Sequence, residues 1–274
     1  MTEKLVTADW VQERLDDPNI RLVEVDVDTE AYAEGHLPGA VGWNWTSQLQ
    51  DGVRRDIINK EQFEQLMSES GIETDTHVVL YGDNNNWFAA YALWLMELHG
   101  HDNVSLMDGG RVKWLADNRP TTTEVPSYPQ TSYQAQEARR ELRAMRDEVL
   151  AAVNSGSVQH VDVRSPAEFS GEVIAPPGMS ETAQRGGHIP GARNIPWARA
   201  VNEDGTFRSP DELRELYGQQ GLDDNQPTIA YCRIGERSSH SWFVLKHILG
   251  YENVKNYDGS WTEYGSMIDV PIER

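Results

Sequence analysis

The only cysteine of the chain, Cys232, lies in the stretch Tyr231-Cys232-Arg233-Ile234-Gly235-Glu236-Arg237-Ser238-Ser239. The run Thr228 to Tyr231 before it leans apolar and predicts a strand. The segment after it, from Ser238, predicts a helix with apolar positions at 242, 245 and 248. A cysteine at a strand-to-helix turn meets unpaired backbone N–H groups and the positive end of the helix dipole. Arg233 and Arg237 add two positive charges beside it. Each of these features favours thiolate over thiol, and the thiolate is the nucleophile. The same cup of donors would hold a small anion. A single cysteine can also be just a small buried hydrophobe. The adjoining glycine and two arginines weigh against that here.

The rest of the chain bounds what this nucleophile can belong to. With 274 residues there is room for one large or two ordinary domains. No apolar run approaches the roughly 18–20 residues of a membrane span. Met1-Thr2-Glu3-Lys4-Leu5 lacks the charged-then-apolar pattern of a signal peptide. One cysteine excludes an internal disulfide and a multi-cysteine metal site. A cytoplasmic protein is expected. Acidic residues number 44 against 24 Lys and Arg, for a net charge of −20. Such a surface repels nucleic acid and anionic membrane, so neither is expected as a partner. The basic side is mostly arginine, which suits a salt-rich cytoplasm; an ordinary acidic enzyme is the other reading.

Internal repetition sets the architecture. Residues 249–260 match residues 99–110, an offset that also pairs Phe63 with Leu213, Leu66 with Leu216, Gly71 with Gly221 and Tyr81 with Tyr231. His36-Leu37-Pro38-Gly39-Ala40 matches His188-Ile189-Pro190-Gly191-Ala192. Each half alternates predicted strands and helices. Residues 21–25, 77–81 and 104–106 read as strands, with helices near 60–68 and 87–99 between them. In the second half, strands at 158–163, 228–231 and 254 alternate with helices near 144–153, 210–218 and 238. That order predicts an α/β fold of two homologous domains, each a mainly parallel sheet with helices on both faces. The expected boundaries are residues 1–117, a Pro- and Thr-rich linker over 118–138, and residues 139–274. The second half carries an insertion, Ser170 to Gly187, with Pro176, Pro177, Gly178 and Arg185, which reads as a loop.

The two halves differ in their chemistry. Gly82 stands opposite Cys232, Asp83 opposite Arg233, and Trp87 opposite Arg237. One half reads as a scaffold and the other as catalytic. The whole chain resembles a tandem-domain rhodanese, a thiosulfate sulfurtransferase. The motifs that carry the resemblance are the two His-(Leu/Ile)-Pro-Gly-Ala turns, Val161 to Phe169, the six-residue loop Cys232 to Arg237, and Tyr257-Asp258-Gly259-Ser260-Trp261.

The resemblance implies that Cys232 takes a sulfane sulfur as a persulfide and passes it to a thiophilic acceptor, cyanide or a thiol. It also implies an inactive first domain. Thiosulfate is a small dianion, and Arg233 and Arg237 can neutralise the sulfite that leaves. The loop from Arg233 through Ile234, Gly235, Glu236 and Arg237 is the expected substrate site, its backbone N–H groups holding the persulfide. Arg185 is expected at the substrate because similar proteins have a basic residue nearby. Glu236 opposes an anion and is expected to face solvent. Asp162 and Arg164 read as a structural pair, and His36 and His188 as structural hydrogen-bonders. No metal or organic cofactor is required, and a monomer is the default expectation.

Three alternatives stay open. Arg233 favours thiosulfate over the Gly-Ser-Gly-Val-Thr pattern of mercaptopyruvate sulfurtransferases, but Arg237 stands where both patterns have a small residue. A sulfur carrier or regulatory module would use the same persulfide. A cysteine phosphatase or arsenate reductase places five residues between Cys and Arg, whereas four separate Cys232 from Arg237. The shorter loop should be too tight for tetrahedral phosphate.

The charge balance has a measurable consequence. In about 1 M salt the Debye length falls to roughly 3 Å, which screens repulsion among surface carboxylates. The melting temperature should therefore rise from dilute buffer to molar KCl. A steady fall would remove the case for a salt-adapted surface.

Overall fold

Strands such as Ile-Arg-Leu-Val-Glu-Val-Asp at 20–26 are buried along their whole length. Only a sheet covered on both faces can bury such a run, and parallel sheets are built that way. The computed structural model describes residues 2–27, 30–176 and 182–274. It divides into two units, Met1–Arg139 with Glu203–Thr206, and Arg140–Asn202 with Phe207–Arg274. Of the insertion read as a loop, residues 177–181 lie outside the described residues, Pro177 and Gly178 among them.

The first unit contains strands β1 (Leu5–Val6), β2 (Ile20–Asp26), β3 (Val41–Asn44), β4 (His77–Tyr81) and β5 (Val104–Met107). They form one parallel sheet in the order β1-β5-β4-β2-β3. Helices α1 (Ala8–Gln12), α2 (Glu30–Glu34), α3 (Trp45–Gln48), α4 (Lys60–Glu69), α5 (Trp87–Leu98) and α6 (Gly110–Ala116) join the strands. Asn59 and Gln62 close a capping box at the start of α4, which fixes its first turn. Helix α5 is apolar nearly all round, and every residue from Phe88 to Leu98 is buried. Residues 118–138, the expected linker, carry no named helix or strand and pack against the first unit. Thr122 bridges to His36, and the Arg21 guanidinium lies 3.1 Å from the centre of the Tyr128 ring.

The second unit repeats the plan. Strands β6 (Gln159–Asp162), β7 (Arg193–Asn194), β8 (Thr228–Tyr231) and β9 (Val254–Tyr257) pair in parallel, in the order β7-β6-β8-β9. Its helices are α7 (Arg146–Ser155), α8 (Pro166–Ser170), α9 (Pro210–Gly218), α10 (Glu236–Phe243) and α11 (Ser260–Tyr264). The registers bear out the repeat: Val23 pairs with Leu80 in one sheet, and Val161 with Ala230 in the other. A single parallel bridge from Arg143 to Asn256 takes the place of β1.

The chain leaves β6 towards β7 on one side and β8 lies on the other, so strand order reverses between β6 and β8. Ligands of open α/β sheets bind at such a point. The expected pair Asp162–Arg164 lies at the end of β6, with Nη2 2.5 Å from the carboxylate and both side chains buried. Arg164 also donates to the Gly187 carbonyl and lies 4.7 Å from the Trp261 ring centre. Its guanidinium also lies 5.8 Å from the centre of the Tyr231 ring, the residue before Cys232.

Candidate active site

Cys232 follows directly on the carboxyl end of β8, and the chain turns at once into α10. The turn needs a left-handed residue, and Gly235 supplies it with φ of 103°. A Cβ there would also lie 2.9 Å from the Asp258 Cα, too close for any other side chain. All eight residues of α10 are buried, although most are polar. Hydrogen bonding makes that tolerable. The Ser239 hydroxyl donates to the Gly235 carbonyl at 2.8 Å. Ser238 donates to Asn256 on β9 at 2.6 Å, and Asn256 donates to Ser239 at 2.8 Å. The first turn of α10 is thereby bolted to the sheet.

The sulfur sits within this frame. The Cys232 N–H donates to the Ser260 hydroxyl at 3.0 Å, and the Gly235 N–H donates to Sγ at 3.2 Å. The carbonyls of Cys232 and Arg233 accept from the N–H groups of Trp261 and Thr262, which joins the loop to the first turn of α11. Sγ is wholly buried and donates its own proton to Glu236 Oε2 at 3.3 Å. Burial first, and then the Glu236 charge, push the thiol above its ordinary range, with Arg237 and the Ser238 hydrogen bonds pulling the other way.

Arg237 is held from a second element. Its Nη1 and Nη2 each donate to Glu168 at 3.0 Å, a bidentate pair between α10 and α8. Its Nε lies 3.5 Å from Glu236 Oε1. Glu168 in turn accepts the Ser165 N–H and hydroxyl at 3.0 Å each, which is the capping box of α8. Burial works against the Arg237 charge, but Glu236, Cys232 and Glu168 together raise its pKa.

The sequence profile of the Rhodanese-like domain matches residues 7–117 and 145–267. The chain belongs to the rhodanese-like family. A relative in Haloferax volcanii, named "Putative thiosulfate sulfurtransferase", is 60% identical over 98% of this chain and 96% of its own. Another in Thermus thermophilus, named sulfur carrier protein TtuD, is 54% identical over 99% of this chain and 97% of its own. Among solved structures, SseA of Escherichia coli, described as a 3-mercaptopyruvate sulfotransferase, is 29% identical with a TM-score of 0.81. That match covers 95% of this chain and 99% of SseA. The class these relatives point to is sulfurtransferase.

Within that family framework several expectations need correction. Glu236 does not face solvent. It is 3% exposed and lies against the sulfur, because Arg237 and the thiol offer its two oxygens partners inside. The loop does not lower the thiol's pKa, since burial and that carboxylate outweigh the neighbouring cation. Arg237 was expected to meet an incoming anion with its full charge, but Glu168 already pairs with it. Arg185 has another set of partners: its guanidinium donates to the carbonyls of Gly265, Met267 and Val270. These three carbonyls tie Arg185 to residues 265–270. Arg233 and Ile234 are buried in the loop as it passes from β8 to α10.

Other expectations agree with the geometry. His36 and His188 are structural: each Nδ1 lies within 2.9 Å of a carbonyl oxygen, of Tyr32 and Phe169 respectively. Each imidazole also stacks on that same residue's ring. Trp261 is fully buried beside Arg164. Glu168 and Ser260 were missed. The Ser-x-x-Glu spacing at 165–168 announces a helix cap, but nothing local announces a partner 69 residues away.

The corresponding loop of the first rhodanese-like domain has its donors satisfied from within. The Gly82 N–H donates to Asn86 at 3.0 Å, and the Asp83 N–H to Asp26 at 2.9 Å. Asn84, Asn85 and Asn86 all have positive φ, and Asn86 also donates to the Met107 carbonyl at 2.7 Å. Asparagine tolerates that conformation better than most residues.

Gly235 gives the sharpest test of this frame. Gly235→Ala should cost at least about 1–3 kcal/mol, from backbone strain alone, in urea unfolding. It should also cut sulfur loading of Cys232 well below wild type by intact mass. Unchanged stability and loading together would contradict the turn's role.

Proposed function

We propose that this chain is a sulfurtransferase that moves the sulfane sulfur of thiosulfate to a thiophilic acceptor, cyanide or a thiol, through a persulfide on Cys232. The observation that carries the reading is Sγ at the amino end of α10, with the Gly235 N–H donating to it at 3.2 Å. That donor can hold either a thiolate or the inner sulfur of a persulfide.

In the first step the Cys232 thiolate attacks the outer sulfur of thiosulfate. Its electron pair forms the new S–S bond, and the old S–S bond breaks with its pair on sulfite. One thiolate and one dianion become one persulfide anion and one sulfite dianion, so charge and electrons balance. In the second step the acceptor attacks the outer persulfide sulfur, and Cys232 leaves as thiolate. Cyanide gives thiocyanate; a thiolate gives a new persulfide. The buried guanidinium groups of Arg233 and Arg237 offset part of the dianion's charge.

The first domain, over residues 1–117, acts as a non-catalytic partner of residues 139–274. Gly82 replaces the nucleophile, and its N–H is taken by Asn86. The reaction takes place in the cytoplasm. No helix among the described residues is long and apolar enough to cross a membrane. A sulfur carrier is the second reading, favoured by the name of the Thermus relative. It shares the first step and differs only in handing sulfur to a protein.

The assay is thiocyanate formation from thiosulfate and cyanide, with intact mass after thiosulfate alone. Wild type should gain one sulfur atom and turn over, and Cys232→Ser should do neither while keeping its melting temperature. Thiosulfate should outperform 3-mercaptopyruvate, and aryl phosphates should be inert. Thiocyanate formation by Cys232→Ser at the wild-type rate would overturn the reading.

A further inference from the structure

We propose that Glu236 is a catalytic residue: its Oε2 takes the proton of the Cys232 thiol as the sulfur attacks, and returns it when the sulfur is discharged. This rests on the reading of Cys232 as the sulfur-accepting nucleophile.

Geometry supplies the first argument. Sγ donates to Oε2 at 3.3 Å, with both groups buried, so the proton already lies along the transfer path. Glu236 is held in that pose. Its other oxygen lies 3.5 Å from Arg237 Nε, Arg237 is clamped by Glu168 with two bonds of 3.0 Å, and Glu168 is fixed by Ser165.

The charge around the sulfur supplies the second argument. The charged groups nearby are Glu236 and Arg237 on α10, Glu168 on α8, Arg233 in the loop, and Asp258 after β9. Asp258 is paired with Arg143 by two bonds of 2.8 Å. The other four, all buried, sum to zero while the thiol keeps its proton. Releasing that proton to solvent would leave one uncompensated negative charge in a buried site, which is costly. Moving it to Glu236 creates the thiolate and removes a carboxylate charge at once, so the net charge does not change. The attack on thiosulfate thus proceeds as the Glu236 carboxylate charge beside the sulfur is removed.

The full step balances. The S–H bond breaks and an O–H bond forms on Glu236; the sulfur pair makes the new S–S bond, and sulfite leaves with the electron pair of the old one. When cyanide or a thiolate removes the outer sulfur, the Cys232 thiolate takes the proton back. No external acid, base or oxidant enters the cycle.

The test is the single-turnover rate of sulfur loading from thiosulfate, read by rapid quench and intact mass. It is run across the interval between ordinary carboxylate and thiol titration, about pH 5.5 to 8.5. An internal transfer does not depend on solution pH in that interval, so the wild-type rate should be nearly flat. In Glu236→Gln the solvent must take the proton, so the rate should fall about tenfold per pH unit below the thiol's pKa and recover above it. A defect of structure alone would lower the rate by one factor at every pH. Equal slopes for the two proteins would overturn the assignment. So would a wild-type rate that itself climbs tenfold per unit, a result needing no variant. If neither protein gains sulfur at any pH, the Cys232 reading fails, and this assignment falls with it.

Discussion

Charged groups sealed from water must be matched, and the loop around the buried Cys232 sulfur is arranged around that requirement. A cationic pocket would hold the thiolate and its anionic donor well, but at rest it would be a buried uncompensated charge. The loop instead places Glu236 on the sulfur, Arg237 on Glu236, and Glu168 on Arg237. Each link comes from a different constraint. Gly235 permits the turn that brings Glu236 to the sulfur, α10 fixes the spacing to Arg237, and the cap of α8 fixes Glu168.

The first domain shows what the same backbone plan becomes without a nucleophile. By strand register, Glu24 stands where the second domain has Asp162, and Asp26 where it has Arg164. The buried cation is thereby replaced by a carboxyl. Arg111 reaches across to Glu24 at 2.7 Å, and burial, followed by the charge of Glu24, pushes Asp26 up to about 7. Asp26 and Asn86 then accept the loop N–H groups that would otherwise face an anion. The first sheet keeps the register of the second, and its loop hydrogen-bonds within its own domain.

Much of this was legible in the sequence. The offset matches foretold two homologous units, and the registers of β4 and β8 agree with them. The position of Cys232 was legible, because a strand must end and a helix begin around it, beside glycine and arginine. The sign of the electrostatics was not. Reading Arg233 and Arg237 as bare charges required knowing that nothing opposed them, and Glu168 sits 69 residues away on another helix. The orientation of Glu236 was equally hidden, because a carboxylate next to an arginine in sequence does not reveal which group it faces. Local chemistry can be read from neighbours in sequence, whereas charge compensation depends on neighbours in space.

On this reading Cys232 rests as a protonated thiol within a charge-balanced loop. Thiolate absorbance in the ultraviolet, taken as the difference between wild type and Cys232→Ser during a pH titration, measures that state directly. Little thiolate signal is expected at neutral pH, with the rise coming only above the ordinary thiol value of about 8.5. A full thiolate signal already present below pH 7 would contradict it.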